Sequence, residues 1–510
     1  MADVLLEIYS EEIPAGMQSG AADQLVSKVR DALTELNIGF DDIGSYVTPQ
    51  RLVLTATGLP TMQADQEQER RGPRSDAPEK ALEGFLRSTG LTKEDLEVRN
   101  TPKGDFYFAV TKQEGKKVAE VLSDIFNKTL NDFHWPKSMR WSDNAVRWVR
   151  PMHSILCIFD GQLLPVSFGP ITSNNTTKGH RFMAPNVSQI ASIEEYKQAM
   201  NDNYVMLDKE QRKNVILDKI NELTEPLGLQ LSDDPALLDE VAGLVEYPVP
   251  LLGKFEERFM SLPKEVLVSV MRYHQKFFVL LDKQGKIAPY FIGVSNVVPK
   301  DGNDTIVKGY ERVLTARLED AAFFWQQDLA LSLDEHVEGL ANVVFHAKLG
   351  TVEQKAKRIA ALAKLMGVWV PHTDLLQAEQ AAKLAKADLV TQMVGEFAEL
   401  QGIMGYYYAL EQGLDEDLAI ALKDHYKPQG VSDDLPENPL GVVVSLADKV
   451  DTLVGLFVVG DRPTGSKDPY ALRRAALGVI RIILDNHLRI PLGLLFEKSL
   501  SLYPKSVIQK

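Results

Sequence analysis

The stretch NPLGVVVSLADKVDTLVGLFVV, residues Asn438–Val459, decides the fold class of the second half of the chain. Its apolar residues recur at steps of three and four, which is the spacing of a buried α-helical face. The same spacing runs through residues 338–370, 381–410 and 468–488, without the alternation typical of strands. We therefore predict an all-α domain over residues 334–505.

The part of the chain before this domain mixes strands and helices without a regular repeat, which predicts an α+β region. The predicted strands include DVLLEIYS (3–10), RLVLTATGL (51–59), FYFAVTK (106–112), HSILCIFD (153–160), KFFVLLD (276–282) and PYFIGVSN (289–296). A helix is predicted at about residues 17–36, and the last two strands are predicted to form a hairpin around a glycine turn. The predicted boundaries are an α+β segment at residues 1–60, a polar linker or exposed loop at 61–80, and further α+β structure at 81–330.

The amino-acid composition restricts the kinds of function that this chain can have. The 510 residues are 45% hydrophobic and carry a formal net charge of −15, so any nucleic-acid contact must rest on local basic patches, and no DNA partner is expected. The single cysteine, Cys157, excludes an intramolecular disulfide and a cysteine-rich zinc site. We found no signal peptide and no membrane-length apolar run, so we expect a cytoplasmic protein without a membrane partner.

The first candidate site is DRPTGSKDPYALRRAALGVIRII, residues 461–483. Gly-Ser-Lys has the wrong order for a phosphate-binding Walker loop, and we predict instead that Asp468 caps the helix that follows. Spacing puts Arg474, Gly478 and Arg481 on one helix face, where the glycine would allow a close approach. That face fits either an ion-pair network between helices or a contact with an RNA backbone or a partner subunit. The candidates for RNA contact are Lys467, Arg473, Arg474 and Arg481.

A second set consists of acidic residues on the predicted helices. Asp388, Gln392, Glu396 and Glu399 are predicted to share one face, Asp448 and Asp451 another, with Arg474, Arg481 and Lys449 as counterions. A metal-dependent hydrolase of the HD type would use a histidine, a His-Asp dyad and a later aspartate. The corresponding residues here are His346, Ala387, Asp388, and Asp448 or Asp451. Because Ala387 replaces the imidazole of the dyad, we expect no working metal site.

A third set is FHWPKSMRWSDNAVRWVRPMHSI, residues 133–155, in which basic residues alternate with tryptophans. Lys137, Arg140, Arg147 and Arg150 could form a surface for nucleic acid or another ligand. Alternatively, the tryptophans belong to the core and the arginines surround it.

Several longer stretches, taken in order, resemble the bacterial glycyl-tRNA synthetase β subunit family. They are LLEIYSEEIPAGM (5–17), TPQRLVL (48–54), RRGP (70–73), KSMRW (137–141), RWVRPMHSI (147–155), GHRFM (179–183), the stretch 245–278, ARLEDAAFFW (316–325), AKLGTVEQKAKRI (347–359), KADLVTQMVGEFAELQGIMGYYYA (386–409) and PTGSKDPYALRRAALGVIRI (463–482). Together they cover essentially the whole chain.

This resemblance implies an α2β2 glycine–tRNA ligase in which the α subunit uses ATP and Mg to make glycyl-adenylate. The β subunit would hold no cofactor or metal, make no catalytic contribution to the adenylate, and bind tRNA(Gly). Its N-terminal region would be similar to the editing-type domain of the phenylalanyl-tRNA synthetase β subunit, and its helical domain would be HD-like. Members of the family continue into a helical body and an anticodon-binding domain, so the resemblance implies that this chain is truncated at its C-terminal end.

Two alternatives remain at the level of sequence. One is an HD-type metal-dependent phosphohydrolase built on the acidic set. The other is trans-editing of mischarged tRNA by the N-terminal region, although a similar fold alone gives weak support for that activity. For RNA contact, Arg140, Arg147 and Arg150 are the second choice after the residues around Lys467.

Overall fold

The computed structural model describes residues 1–64, 66–102, 104–113, 115–143, 145–299, 302–465 and 467–508. They divide into two compact units. Unit 1 comprises residues 1–227, 233–251 and 294–306, and unit 2 comprises residues 228–232, 252–293 and 307–510.

The strands and helices are numbered in chain order. The strands are β1 Ala2–Ser10, β2 Asp42–Val47, β3 Arg51–Leu59, β4 Gln66–Arg74, β5 Leu96–Thr101, β6 Gly104–Gln113, β7 Met139–Arg140, β8 Arg147–Trp148, β9 Met152–Phe159, β10 Gln162–Leu163, β11 Ser167–Phe168, β12 Ile171–Asn174, β13 Thr176–Lys178, β14 Val187–Gln189, β15 Gln230–Leu231, β16 Val249–Lys254, β17 Phe278–Leu281, β18 Ile287–Ser295, β19 Val344–His346 and β20 Gly350–Thr351. The helices are α1 Ala15–Glu35, α2 Glu79–Thr89, α3 Val118–Asn131, α4 Ile193–Asp202, α5 Lys209–Thr224, α6 Pro235–Ala242, α7 Lys264–Ser269, α8 Asp304–Leu329, α9 Leu333–Gly339, α10 Val352–Met366, α11 Leu375–Leu384, α12 Gln392–Glu396, α13 Ile403–Glu411, α14 Glu416–Asp424, α15 Pro439–Val458, α16 Leu472–Asp485, α17 Leu492–Ser501 and α18 Lys505–Ile508.

Unit 1 is built on a seven-stranded sheet of order β11-β12-β9-β1-β3-β2, with β10 paired to β9. The pairs of β1 with β3 and with β9 are antiparallel, so β1 lies in the interior of the sheet. Val4, Leu6 and Ile8 of β1 belong to the core that also contains the buried faces of α1 and α3. Leu5 belongs to a second core, together with Tyr196 of α4. Since successive side chains of a strand point to opposite faces, Glu7 and Tyr9 lie on the face of Leu5.

A separate three-stranded sheet of order β4-β6-β5 also lies in unit 1. Residues 61–80, predicted as a linker or exposed loop, contain β4 and the first residues of α2. The prediction missed this strand because QEQERRGPR has no apolar alternation. Its place is set by pairing with β6, from Gln66 opposite Gln113 to Arg74 opposite Phe106.

Most of a four-stranded sheet of order β15-β17-β18-β16 belongs to unit 2, as do α8 from residue 307 onward and the helices that follow it. The predicted hairpin is confirmed, because β17 pairs with β18 in antiparallel fashion. One continuous apolar core contains Phe291 of this sheet, Ile359 of α10 and Val443 of α15. The helical prediction for residues 334–505 therefore holds for most of its length, but the short hairpin β19-β20 interrupts it. None of the helices in the described ranges is both long and apolar enough to span a membrane.

Candidate functional site

Helix α16 carries most of the basic residues of the first predicted site. Asp468 accepts hydrogen bonds from the backbone N–H groups of Leu472 (2.8 Å) and Arg473 (3.0 Å), which start this helix. The bond from Arg473 is the main reason why the pKa of Asp468 lies below its ordinary value. The N-cap residue is Ala471, but the Asp468 carboxylate accepts from the first two N–H groups of the helix, as its predicted capping role requires. The helix begins at Leu472, however, so Pro469 lies before its first turn.

Arg481 and Arg474 hold a loop of the same unit. Arg481 donates from Nη1 to the carbonyl oxygen of Gly430 (3.0 Å) and from Nη2 to that of Asp433 (2.9 Å). Arg474 donates more weakly to the carbonyl oxygen of Gln429, at 3.5 Å. The sequence predicted that these arginines neutralise carboxylates on other helices, and this prediction is wrong. Their hydrogen bonds are accepted by backbone carbonyl groups of residues 429–433.

Gly478 allows a close approach to α16, as the spacing predicted. A methyl group at this position would lie 2.9 Å from Cε of Lys449 on α15 and 3.4 Å from Cγ of Pro428. The group that approaches the glycine therefore belongs to the same chain.

Lys467 and Arg473 are exposed at the start of the same segment. Arg473 donates from Nη2 to the carbonyl oxygen of Thr464, which leaves its guanidinium at the surface. Ser466, in the Gly-Ser-Lys sequence, lies outside the described residues. Contact of Lys467, Arg473, Arg474 or Arg481 with RNA stays a prediction.

Asp448 and Asp451 lie on one face of α15, as predicted, and both are engaged by cations. Lys355 of α10 places Nζ 2.7 Å from Oδ1 of Asp448 and 3.3 Å from Oδ2 of Asp451. Lys386 Nζ is 2.8 Å from Oδ2 of Asp448, and Arg358 Nε is 2.7 Å from Oδ1 of Asp451. Burial alone would raise the pKa of Asp448, but Lys355 and Lys386 hold it well below its ordinary range.

The predicted counterion Lys449 does not join this network. Its Nζ donates to the carbonyl oxygen of Lys427 (2.8 Å) and to Oγ of Ser445 (3.0 Å). Burial lowers the pKa of Lys449 to about 8. Helical spacing predicted the acidic face of α15 correctly but could not say that α10 and residue 386 would supply its cations.

Asp388 is buried, and its carboxylate lies at the start of α13. Its Oδ2 accepts hydrogen bonds from the backbone N–H groups of Gly402 and Gly405, the latter at 3.1 Å. Burial raises the pKa of Asp388 to about 6, and these N–H groups offset part of that effect. The carboxylate therefore caps a helix.

The predicted shared face of Asp388, Gln392, Glu396 and Glu399 is wrong. Residues 387–390 and 398–400 are 3-10 turns on either side of α12, so no single helix carries the four side chains. Glu396 pairs instead with Arg317 at 3.1 Å, and Glu399 accepts a hydrogen bond from Ser269. Thr391, which caps α12, ends the first turn and breaks the helical period.

These residues do not fit a divalent metal centre of the HD type. His346 Nε2 is 3.0 Å from Oδ2 of Asp461, and its Nδ1 accepts from the N–H of Lys348. A metal would have to displace the lysine and arginine groups that already neutralise Asp448 and Asp451. Within the described ranges, no group of three or more His, Cys, Asp or Glu side chains is arranged to hold a metal ion. Ala387 is buried and offers no ligand.

The third predicted set lies on and beside the hairpin β7-β8 of unit 1. Arg140 pairs with Arg147 across the two strands, and both side chains are exposed. Arg147 donates to the carbonyl oxygen of Ser138 (2.7 Å), and Arg150 donates to that of Val149 (2.9 Å). Trp135 and Trp148 are buried with their ring centroids 5.1 Å apart. Two of the three tryptophans are thus core residues, and the arginines lie outside them.

A buried ion network in unit 1 was not predicted. Arg51 of β3 is fully buried and pairs with Glu7 of β1 at 3.3 Å and with Glu246. Thr177 and Tyr196 donate hydrogen bonds to Glu7, and Thr48 donates to Glu246 at 2.6 Å. Burial lowers the pKa of Arg51, but Glu246 and Glu7 outweigh it, and the guanidinium pKa stays above its ordinary value.

A cavity of about 220 Å³ opens beside this network. It is lined by Tyr9, Glu11, His153, Lys178, Gly179, Arg181 and Pro185. Arg51 donates to the carbonyl oxygens of Lys178 and Gly179, and its guanidinium carbon lies 4.9 Å from the centre of the Tyr9 ring. The buried cation therefore fixes two residues of the cavity wall.

Comparison with known proteins matches nearly the whole chain to one family. The model of the family described as glycyl-tRNA synthetase beta subunit matches residues 4–510. The chain belongs to the glycyl-tRNA synthetase beta subunit family.

Similar relatives carry the name glycine–tRNA ligase beta subunit. The protein from Paracoccus denitrificans is 48% identical over 507 residues, which are 98% of this chain and 74% of the relative. The protein from Rhodospirillum centenum is 47% identical, again over 98% of this chain and 74% of its own length. For Rickettsia felis the values are 45%, 99% and 75%.

Family membership confirms the resemblance that the sequence motifs indicated, and it gives the missed network a context. Glu7, Arg51, Gly179 and Glu246 come from four separate stretches on which the resemblance rested. The sequence held one signal for this network, which is that the apolar strands β1 and β3 each contain a charged residue, Glu7 and Arg51. The descriptions editing-type and HD-like, for the two halves of the chain, stay predictions.

Proposed function

We propose that this chain acts as the β subunit of glycine–tRNA ligase, where it binds tRNA(Gly) and supports a partner α subunit in ATP-dependent glycylation. The match to the family model over residues 4–510 carries this proposal. The relatives' name supplies the reaction, and identities of 45–48% over nearly the whole chain support transferring it.

In the proposed assembly, two α and two β subunits form the enzyme. The α subunit binds ATP and Mg and makes glycyl-adenylate, whereas this chain binds no cofactor and forms no bond itself. The cytoplasm is the compartment in which this role would be exercised.

The network around Asp448 supports a non-catalytic role for the helical unit. Catalytic hydrolases of the HD type require carboxylates that are free to bind metal, but Lys355, Lys386 and Arg358 already neutralise these ones. The hydrolase alternative therefore has little support from the arrangement of the described residues. Trans-editing of mischarged tRNA by the N-terminal region is the other alternative.

Basic side chains at the surface support RNA binding. Lys467 and Arg473 in unit 2, and Arg140 and Arg147 in unit 1, are exposed on a chain whose net charge is −15. On an acidic protein, local groups of this kind are the places where phosphates can bind.

A reconstitution experiment tests the proposal. The α subunit, this chain, or both are mixed with tRNA(Gly), glycine and ATP, and formation of glycyl-tRNA is measured. We expect charging only when both proteins are present. Glycine-dependent exchange of pyrophosphate into ATP is measured in parallel, because the α subunit should give this signal without help if it makes the adenylate. Equal charging by the α subunit with and without this chain would reject the proposal.

A further inference from the structure

The turn between β13 and β14 of unit 1 is held by several buried or partly buried hydrogen bonds. Arg51 donates to the carbonyl oxygens of Lys178 and Gly179, and Gly179 donates its N–H to the carbonyl oxygen of Asn186 at 3.3 Å. A methyl group on Gly179 would lie 2.4 Å from the carbonyl oxygen of Ala184. A buried guanidinium is costly to desolvate, and here it is used to fix a turn at the surface.

His180 adds a second set of constraints to the same turn. Its side chain is fully buried, and Nδ1 accepts hydrogen bonds from the N–H groups of Phe182 and Met183, both at 3.3 Å. The backbone N–H of His180 donates to the carbonyl oxygen of Asn203 at 2.9 Å. The backbone on both sides of Arg181 is therefore held in one arrangement before any ligand arrives.

This rigid turn presents a large aromatic side chain to solvent. Phe182 is 71% exposed, the highest value for any phenylalanine in the described ranges. The guanidinium carbon of Arg181 lies 5.8 Å from the centre of the Phe182 ring. An exposed aromatic ring beside a cation is a platform on which an unpaired nucleobase can stack.

Positive charge surrounds the platform and the 220 Å³ cavity beside it. Lys178 and Arg181 line the cavity together with His153. Glu11 is the one carboxylate of the cavity lining and is already engaged, with His153 at 2.9 Å and Arg181 at 3.2 Å. The net charge at the cavity therefore suits a phosphate group.

We infer that the turn Lys178–Pro185 and the cavity of Tyr9 bind the unpaired 3′ end of an RNA, with a base stacked on Phe182 and its phosphate between Lys178 and Arg181. The cavity is smaller than the roughly 300–1,000 Å³ of pockets for drug-sized ligands, which suits one nucleotide and excludes a helical stem. Stacking also requires a base that is not already paired in a duplex. This inference rests on the proposed function, which supplies tRNA as the RNA.

The test measures binding of fluorescently labelled tRNA(Gly) to the whole chain by anisotropy. Intact tRNA is compared with tRNA trimmed of its unpaired 3′ nucleotides. For Phe182→Ala we expect the affinity for intact tRNA to fall about ten-fold, with no change for trimmed tRNA. Phe182→Trp should keep wild-type affinity, since it keeps a stacking surface. Arg181→Gln should reduce the salt dependence of binding by about one charge.

Leu163→Ala is the matched control, because Leu163 is also an exposed apolar residue of unit 1 and should leave both affinities unchanged. If wild-type chain binds intact tRNA and Phe182→Ala binds it equally well, the inference is overturned while the proposed function stands. An equal loss for intact and trimmed tRNA also overturns it, because the effect would not involve the 3′ end. If the wild-type chain binds neither RNA, with or without the α subunit, both the proposed function and this inference fail.

Discussion

Lys386 Nζ lies 2.8 Å from Oδ2 of Asp448, and the two side chains are only 6% and 13% exposed. Both charges have been removed from water, so Lys386 depends on Asp448 for compensation, and Asp448 depends on Lys386 and on Lys355. Lys386 also lies 3.8 Å from the centre of the Tyr426 ring. Lys386, the residue immediately before the Ala387-Asp388 pair, therefore helps to stabilise the packed helices of unit 2.

Replacing Lys386 by Met should destabilise unit 2. The change leaves Asp448 with one of its two cationic partners, so we expect the free energy of unfolding to fall by about 3 kcal/mol. Chemical denaturation measures this value. Lys383→Met is the matched control, because Lys383 pairs with Asp334 at the surface and should cost at most about 1 kcal/mol. Equal effects of the two variants would mean that burial of the Lys386 pair has no energetic consequence.

Asp388 should make stability depend on pH between about 4 and 6. Its pKa is about 6 in the folded chain, above its ordinary value of 3.8, so the folded state binds the proton more tightly. The stability of the wild type should therefore fall, relative to Asp388→Asn, as the pH rises through this window. The change should be on the order of 3 kcal/mol, which is the free-energy equivalent of a pKa shift from 3.8 to about 6. Asparagine is the reference because its side-chain oxygen can still accept from Gly402 and Gly405 but does not titrate.

Asp468→Asn provides a control of opposite sign for this experiment. The pKa of Asp468 is lowered in the folded chain, so its stabilising contribution should be lost as the pH falls. Unfolding of the wild type and both variants is followed across the pH range in denaturant. A difference between wild type and Asp388→Asn that does not vary with pH would contradict the assignment for Asp388.

Gly478→Ala should destabilise the packing of α16 on α15. The added methyl group would lie 2.9 Å from Cε of Lys449, whose Nζ is anchored by hydrogen bonds to Lys427 and Ser445. Overpacking should outweigh the better helix propensity of alanine and cost about 1 kcal/mol. Gly493→Ala in α17 has no heavy atom within 4 Å of the new methyl group and should be neutral or stabilising. Thermal unfolding of the two variants measures the difference, and a stabilising Gly478→Ala would contradict the close contact.

The double variant Lys467→Glu with Arg473→Glu should weaken tRNA binding and reduce its salt dependence by about two charges. Both side chains are exposed, so stability should change little. Arg489→Glu with Lys498→Glu applies the same charge change elsewhere in unit 2 and is the control. Unchanged affinity and salt dependence in the Lys467→Glu, Arg473→Glu variant would exclude this surface from RNA contact.

Arg481→Gln should instead lower the free energy of unfolding by about 1–2 kcal/mol, since it leaves the carbonyl groups of Gly430 and Asp433 without their donors.

Local patterns predicted local structure well in this chain. The apolar run of β1, the alternation in β3 and the helical period of α15 depend on neighbouring residues only, and the predicted positions agree with the structure. Strand β4 has no such pattern, because its polar sequence gains its structure from pairing with β6. Mixed α/β architecture with helices concentrated in the C-terminal half was therefore predictable, whereas β4 and the hairpin β19-β20 were not.

Partners between elements could not be predicted in the same way. A helical period shows that Asp448 and Asp451 share a face, but it does not say which element supplies the opposing charge. The sequence suggested Arg474, Arg481 and Lys449, and the structure brings Lys355, Lys386 and Arg358. The cavity beside Tyr9 was missed for the same reason, since its lining combines residues from β1, β9 and the turn after β13.

The pairing of Arg51 with Glu246 spans 195 positions along the chain. The ribosome synthesises β1 and β3 long before it reaches Glu246. In the nascent sheet, Arg51 can therefore pair with Glu7 but lacks its second carboxylate partner. Full neutralisation of Arg51 during synthesis is thus tied to emergence of residue 246. A sheet that closes earlier would hold the buried arginine with Glu7 as its one carboxylate partner.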